Sequence, residues 1–230
     1  MRILPYLFPR LSTICSRSTL NEIDENLCNE CYLELTFPLK KCIFCDTFGC
    51  FLCHLCKKQM PLLQDIHICF QYETVIKRLI QQLKFSLKPY IAISLSRIIW
   101  RHSADFIANI PLNTAIIPMP SGRLRIAKRG FNPVELITRN LSRRSDLRHF
   151  PHYLAKSAFS IPQIELSRNA RLENLQSSFF LKTLPHKNSP PTSILLVDDV
   201  ITTGRSFQKA IETLHNPHTK QLFGLFIAQS

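Results

Sequence analysis

The residues best suited to chemistry lie in one run of thirteen, from Ile194 to Ser206. The run begins with four apolar residues that end at Val197, a pattern typical of a strand buried in a parallel sheet. Asp198 and Asp199 follow at the carboxyl end of that strand, where open α/β sheets bind their ligands. Because carboxylates only accept hydrogen bonds, they suit hydroxyl donors such as those of a sugar.

A turn of small and hydroxyl-bearing residues follows the two acids. It offers backbone N–H groups and hydroxyls from Thr202, Thr203, Gly204 and Ser206, and such groups suit a phosphate dianion. A helix predicted over about 206–214 would direct its positive end at the same turn. The alternative is a strand, a solvated acidic turn and an ordinary helix start. The complete order favours a sugar phosphate.

Cysteines dominate the N-terminal segment, and they indicate bound metal. The chain has nine cysteines, six of which form three Cys-x-x-Cys pairs, Cys28/Cys31, Cys42/Cys45 and Cys53/Cys56. Tetrahedral Zn²⁺ takes four soft ligands, and each pair can supply two of them from one tight turn. A redox role for one pair is the alternative, but three pairs in tandem favour structural zinc. Four thiolates would leave no open position for catalysis.

The spacing divides the cysteines between two sites. One site is complete, with Cys42, Cys45, Cys53 and Cys56. The second would use Cys15, Cys28 and Cys31, and its fourth ligand is unidentified because Ser12 stands where a further pair would begin. Cys50 or His54 could substitute at either site. Such a segment is too small to fold on its own apolar core, so metal would supply much of its stability.

Length and composition fit one ordinary domain with a small one attached. The chain has 230 residues, of which 45% are hydrophobic, enough for a packed core. We expect the cysteine-rich segment over 1–62 and the larger domain over 63–230. No apolar run approaches the roughly 18 residues of a membrane-spanning helix, and the N-terminus is a poor signal peptide. We therefore expect a cytoplasmic protein without membrane insertion.

The formal net charge is +13, and bound zinc thiolates would lower it only in part. The charge favours anionic partners, either phosphates or nucleic acid, although a generic basic surface would explain it as well. Four cations are of special interest because they precede a predicted helix beside a predicted strand end: Arg123, Arg125, Lys128 and Arg129. They could neutralise pyrophosphate or face solvent.

Hydrophobic periodicity predicts the elements around these motifs. Amphipathic or apolar helices are expected over 73–85 and 91–100, and strands over 115–118 and 222–228. A further helix begins with Asn132 as N-cap, Pro133 as its first residue and Glu135 as the capping-box acid. Asn216 is expected to end the preceding helix in the left-handed conformation. Strands and helices in this order predict an α/β fold.

The run from Ile194 to Ser206 resembles the motif with which type I phosphoribosyltransferases bind 5-phosphoribosyl-1-pyrophosphate (PRPP). The resemblance implies a parallel sheet flanked by helices, with Asp198 and Asp199 as catalytic residues that bind the ribose hydroxyls. It also implies that PRPP arrives with Mg²⁺. The 5′-phosphate would lie against Thr202, Thr203, Gly204, Arg205 and Ser206. Arg205 stands where relatives have a small residue, and it either pairs with the phosphate or points to solvent.

Further motifs extend the resemblance to one branch, the ComF family, whose members join a zinc ribbon to a phosphoribosyltransferase domain. After the cysteine pairs come Leu83-Lys84-Phe85, Pro118-Met119-Pro120, Lys128-Arg129-Gly130-Phe131-Asn132 and a stretch that includes Pro162, Gln163 and Arg171. Two departures are the lost first cysteine and Pro133, where relatives often carry Gln. The segment 157–180 corresponds to the loop that closes over PRPP, with Arg168 and Arg171 as candidate contacts, or to an ordinary basic loop.

The resemblance leaves three functions open. An active transferase would displace pyrophosphate at the anomeric carbon, with Arg129 or Arg171 offsetting charge on the leaving group, but no acceptor is recognisable. A PRPP- or nucleotide-sensing protein would keep the pocket without the reaction. A protein of natural competence would act in DNA uptake with competence proteins as partners. In that case Phe44, Phe48 or Phe51 could stack on single-stranded DNA, or simply pack the segment's core.

Overall fold

The computed structural model describes residues 12, 15, 27–86, 88–157, 179–184 and 189–230. The described strands are β1 Leu63–Gln71, β2 Ala115–Pro118, β3 Arg148–His149, β4 Leu154–Lys156, β5 Phe179–Leu181, β6 Ser193–Ile201 and β7 Gln221–Gln229. The described helices are α1 Asn29–Leu33, α2 His54–Gln59, α3 Thr74–Phe85, α4 Ile91–Ala108, α5 Arg123–Arg129, α6 Pro133–Ser142 and α7 Arg205–Leu214.

A five-stranded sheet forms the centre of the molecule, in the order β1-β7-β6-β2-β3. Every pairing in it is parallel. Strands β4 and β5 pair antiparallel in a separate two-stranded sheet. Because helices connect and cover parallel strands, both faces of the main sheet are buried, which explains the nearly continuous apolar runs in β6 and β7. The predicted α/β fold with a parallel sheet flanked by helices is confirmed at this level.

Alternate residues of each strand pack into two different cores. Leu195 and Val197 of β6 face a cluster that includes the apolar sides of α3, α4 and α6. Ile194 and Leu196 face the opposite cluster, which includes α7 and residues of β4 and β5. Gly224 of β7 allows close approach of α7, because a Cβ there would lie 2.7 Å from Cζ of Phe207.

The cysteine-rich segment packs against both of these cores. Leu27 and Leu35, on either side of α1, belong to the cluster formed by α3 and α4. Ile43 and Phe51 belong to the opposite cluster with β1 and α7. A single antiparallel bridge between Lys41 and Phe48 closes the loop around one cysteine pair. The segment therefore shares its buried apolar surface with the larger domain.

The order of the strands locates the sheet's switch point. From β2 the chain proceeds outwards to β3, and from β6 it proceeds in the other direction to β7. Strands β2 and β6 are neighbours, with Pro118 paired to Val197 at the end of their ladder. A crevice forms beyond the carboxyl ends of two such strands, and open α/β sheets bind ligands in it.

Most predicted elements are present, but several differ from the expectation. The second predicted helix is α4, which continues to Ala108 rather than stopping near residue 100. The basic residues before α6 form a short helix of their own, α5. The expected left-handed ending at Asn216 is wrong: Asn216 is absent from the positive-φ residues of the described chain, and its Oδ1 accepts from the N–H of His218 and Thr219. A side-chain turn replaces the left-handed cap.

Candidate functional site

The two acids lie inside a strand rather than after it, contrary to the sequence-based expectation. Strand β6 continues to Ile201, because Asp198 and Val200 remain paired to β7. On its other side the ladder with β2 stops at Val197, where the carbonyl accepts from the N–H of Met119 at 2.7 Å. One edge of β6 is thereby opened next to both acids, at the switch point of the sheet.

The two carboxylates have different partners. The Nζ of Lys84 lies 2.7 Å from Oδ2 of Asp199, in an ion pair that joins the end of α3 to β6. Asp198 instead accepts from the backbone N–H of Asp199 at 2.8 Å. Burial, followed by the charge of Asp199, raises the pKa of Asp198 to about 7. The pair therefore holds one carboxylate matched to a cation and one that is near its midpoint at neutral pH.

A cleft of about 540 Å³ opens over these acids. Among the described residues, four cationic side chains line it together with the two carboxylates: Lys84, Arg125, Arg129 and Lys156. The loop after β2 supplies further wall with Met119, Pro120, Ser121 and Gly122. The excess of positive charge suits a ligand with several negative charges, and the carboxylates suit its hydroxyl groups.

Two of these cations were not singled out by the sequence as site residues. Lys84 stands on the polar face of an amphipathic helix, a position that predicts only a solvated charge, although it lies within the Leu83-Lys84-Phe85 motif. Lys156 belongs to none of the motifs recognised in the sequence. Its pKa is lowered, mainly by burial and secondly by the nearby charge of Arg125. Both reach the cleft through tertiary packing, which local patterns do not encode.

Of the four basic residues before α6, Arg125 and Arg129 reach this cleft. The guanidinium of Arg129 lies 5.0 Å from the centre of the Phe85 ring, a cation–π arrangement that orients it against the end of α3. Arg123 lines a second cavity of about 470 Å³, on the other side of α5. Lys128 is exposed. The helix α5 thus divides its charges between two cavities and solvent.

The predicted phosphate turn lies between β6 and α7. The helix begins at Arg205, one residue earlier than expected, with Gly204 as its N-cap in the left-handed conformation at φ 67°. Thr202, Thr203 and Arg205 are exposed, and Ser206 lines the cleft. Arg168 and Arg171 lie outside the described residues.

Cys42, Cys45, Cys53 and Cys56 come together as predicted. Their four sulphur atoms lie within 4.8 Å of one another. Zn–S bonds of about 2.3 Å in a tetrahedron require sulphur separations of roughly 3.8 Å, and the Cys45 and Cys53 sulphurs are 3.4 Å apart. Hydrogen bonding with Thr47 lowers the pKa of Cys45 to about 6, whereas burial raises the pKa of Cys56. This set of four soft donors fits a structural metal ion such as Zn²⁺.

The second predicted cluster unites Cys15, Cys28 and Cys31. The sulphur of Cys15 lies 3.4 Å from that of Cys28 and 3.6 Å from that of Cys31. The hydroxyl of Ser12, with only 3% of the residue exposed, lies 3.9 Å from the Cys31 sulphur. Burial raises the pKa of Cys31 to about 12. Ser12 therefore occupies the side of the cluster where the missing fourth ligand was expected.

The three aromatic rings considered for stacking differ in exposure. Phe51 is buried and Phe44 is partly buried, so both serve packing. Phe48 is 69% exposed, and the Nζ of Lys41 lies 4.6 Å from the centre of its ring. Phe37, also exposed, adds a further ring on this segment. Among the helices of the described ranges, none has the length and apolar character needed to cross a bilayer.

Comparison with known proteins gives relatives over most of the chain. No protein-family model matches it. The chain is 29% identical over 207 residues to Competence protein F of Haemophilus influenzae, covering 86% of this chain and 88% of the relative. It is 28% identical over 206 residues to DNA utilization protein YhgH of Escherichia coli K12, covering 89% and 83%. These names agree with the resemblance to the ComF family.

Proposed function

We propose that this chain is a ComF-family protein of the phosphoribosyltransferase type that binds PRPP and acts in the uptake and handling of DNA during natural competence. We infer the ligand from the cleft at the switch point, in which the paired acids face four cations of the described chain. We infer the role in DNA uptake from relatives named for competence and DNA utilization, which are similar to more than four fifths of the chain. Cytoplasmic competence proteins are the partners this role implies.

The groups of PRPP match the chemistry of the cleft one by one. The ribose hydroxyls would donate to Asp198 and Asp199. The pyrophosphate would lie against Arg125, Arg129 and Lys156, with Arg171 as a further proposed contact. The 5′-phosphate would accept from the turn of Thr202, Thr203, Gly204, Arg205 and Ser206. Mg²⁺, when bound with PRPP, would offset charge on the pyrophosphate.

The ion pair between Lys84 and Asp199 would affect how this carboxylate binds a ribose hydroxyl. The Nζ of Lys84 lies 2.7 Å from Oδ2 of Asp199, so that carboxylate is already paired with α3. A ribose hydroxyl that donates to the same carboxylate would meet an acceptor already oriented by α3. In an active transferase these acids would also stabilise positive charge that develops on the ribose ring, while Arg129 offsets charge on the leaving pyrophosphate. In a sensing protein the same contacts would serve binding alone.

Titration calorimetry with PRPP and Mg²⁺ tests the ligand. We expect the wild type to bind, and the double variant Asp198→Asn/Asp199→Asn to lose binding while its circular dichroism remains native. Asparagine keeps the size of each side chain but removes the charge, so the comparison isolates the carboxylates. Equal affinity of the two proteins would contradict the assignment of the acids. Release of pyrophosphate in the presence of candidate acceptors then separates enzyme from sensor.

Direct binding of single-stranded DNA is a second candidate activity, favoured by the exposed ring of Phe48 beside Lys41. Stacking of a base on an exposed ring contributes about 1–3 kcal/mol, and phosphate contacts make affinity fall with salt. We expect Phe48→Ala to weaken binding of oligo(dT) about tenfold and Lys41→Ala to reduce the salt dependence. Leu112→Ala, which alters a similarly exposed residue elsewhere, is the control. Unchanged affinity in Phe48→Ala would exclude this surface.

A further inference from the structure

The loop between Cys42 and Cys45 lies next to Gly204 of the proposed phosphate turn. A Cβ at Gly204 would lie 3.4 Å from Cε1 of Phe44 and 3.5 Å from the carbonyl oxygen of Ile43. Both of these residues stand between Cys42 and Cys45, in the loop that carries half of the four-cysteine centre. The turn is thus backed by the metal-binding loop rather than by solvent.

The loop is anchored on both sides of this contact. Ile43 is 8% exposed and packs in the same core as Ile201, at the end of β6, and Phe207, in the first turn of α7. Its N–H donates to the carbonyl of Phe51 at 3.1 Å. Within the cysteine centre, the N–H of Cys53 lies 3.4 Å from the Cys42 sulphur. The four-cysteine set therefore holds a loop whose apolar side chains share a core with residues at both ends of the turn.

We propose that this loop is the support of the phosphate turn, with Phe44 as a positioning residue, so that metal binding at the four-cysteine centre and PRPP binding are coupled. The inference rests on the proposed function. Phosphate binding by backbone N–H groups requires that these groups already point at the ligand. Gly204 is buried and left-handed at φ 67°, and the Phe44 ring closes the space that its missing side chain leaves.

Coupling between two sites is reciprocal by thermodynamic necessity. If the metal-bound loop orders the turn for PRPP, PRPP must stabilise the metal in its centre by the same factor. Couplings of this kind usually lie between about 5-fold and 150-fold. Because Phe44 is not a metal ligand, removing its ring should break the coupling while the four thiolates remain available.

The test compares Phe44→Ala with Leu55→Ala, which changes an apolar residue that is 69% exposed and stands between Cys53 and Cys56, the other pair of the same centre. PRPP affinity is measured by calorimetry in the presence of Mg²⁺, and zinc loss by a chromogenic chelator with and without PRPP. We expect Phe44→Ala to retain zinc, to bind PRPP about tenfold more weakly, and to lose the protection of zinc by PRPP. Leu55→Ala should match the wild type in all three. Phe44→Leu replaces Phe44→Ala if the latter does not fold.

Equal PRPP affinity in wild type and Phe44→Ala would overturn the coupling and leave the proposed function intact. A wild type that does not bind PRPP would overturn the proposed function itself. The support of the turn is then decided by hydrogen exchange of the amides at 202–207. Faster exchange in Phe44→Ala than in Leu55→Ala would support it, and equal rates would refute it.

Discussion

At the scale of single residues, the adjacent acids are kept unequal by their surroundings. Lys84 pairs with Asp199, while Asp198 receives one backbone N–H and lies close enough to Asp199 to feel its charge. Two neighbouring carboxylates do not ionise independently, and burial makes the second charge more costly. The result is a pKa of about 7 for Asp198. Its charge state should therefore change within the physiological range.

This raised pKa predicts a pH dependence of stability. In the unfolded chain Asp198 ionises near the ordinary aspartate pKa of 3.8, whereas the folded protein retains the proton until about pH 7. Folded protein binds more protons between these values, so the contribution of Asp198 to stability falls as pH rises through this window. Asp198→Asn should therefore gain stability relative to wild type by up to roughly 4 kcal/mol at pH 8, and little at pH 4.

Urea unfolding of both proteins at pH 4, 6 and 8 measures the effect. The difference between the two proteins isolates this group from the other titrating residues. Asp146→Asn is the matched control, since it removes an exposed carboxylate that does not line the cleft. A stability difference between Asp198→Asn and wild type that stays constant with pH would contradict the raised pKa.

Single residues also show which parts of the site local sequence patterns can predict and which they cannot. The sequence predicts the paired acids and the Thr-Thr-Gly turn as site residues because the complete set lies within thirteen consecutive residues. It does not predict Lys84, because the contact of Lys84 with Asp199 depends on where α3 ends relative to β6. A lysine on the polar side of an amphipathic helix carries the same local signal whether it faces solvent or a cleft.

At the scale of elements, the extent of β6 differs from the expectation for a similar reason. The apolar run ends at Val197, and β2 does stop pairing there. Strand β7 continues alongside β6 to the pairing of Ile201 with Gln229. Hydrophobicity reports burial of side chains, whereas strand length depends on the backbone of the neighbour. The acids thus lie within a paired strand, where a turn was expected.

Packing of α7 on β7 gives a second prediction. A methyl group at Gly224 would lie 2.7 Å from Cζ of Phe207 and 3.2 Å from Cε2 of Phe226, so Gly224→Ala forces these rings to move. Overpacking of this kind costs about 1–3 kcal/mol. Gly122→Ala is the control, because nothing lies within 4 Å of a Cβ at that position. The urea concentration at the unfolding midpoint should fall for Gly224→Ala and remain unchanged for Gly122→Ala.

A compensating change sharpens this test. Phe207→Leu combined with Gly224→Ala should recover part of the lost stability, since it removes the ring atom nearest the new methyl group. Because Phe207 lies in the first turn of α7, the uncompensated variant should also disturb the phosphate turn. Full stability of Gly224→Ala alone would show that α7 can move away at no cost, against the packing described.

At the scale of the whole molecule, the cysteine-rich segment and the α/β domain share their interiors. The sequence predicts a division at residue 62, because the cysteine pattern ends there and a new pattern begins. The structure shows packing that no sequence pattern in the segment predicts. Leu27 and Leu35 lie in one core of the α/β domain, and Ile43 and Phe51 lie in the other. Leucine and phenylalanine between cysteines are equally expected in a small separate module. The division at residue 62 therefore remains a prediction about folding units.

This shared interior sets the expected effect of metal loss. Cys42→Ser removes one of four thiolates from the complete centre, so the purified protein should lack one equivalent of zinc. Since Ile43 and Phe51 pack with β1 and α7, the loss should lower the melting temperature of the whole chain as well as of the segment. Cys69→Ala is the control, because Cys69 is a buried core thiol outside both clusters.

Metal analysis and calorimetry of the two variants separate the possible outcomes. One cooperative transition at lower temperature in Cys42→Ser would mean that the centre stabilises a single folding unit. Two transitions, with only the first displaced, would mean that the segment unfolds alone and that the boundary near residue 62 is thermodynamic. Full zinc content in the double variant Cys42→Ser/Cys50→Ser, in which Cys50 cannot replace the missing thiolate, would refute the ligand set, because three thiolates hold the ion more weakly than four.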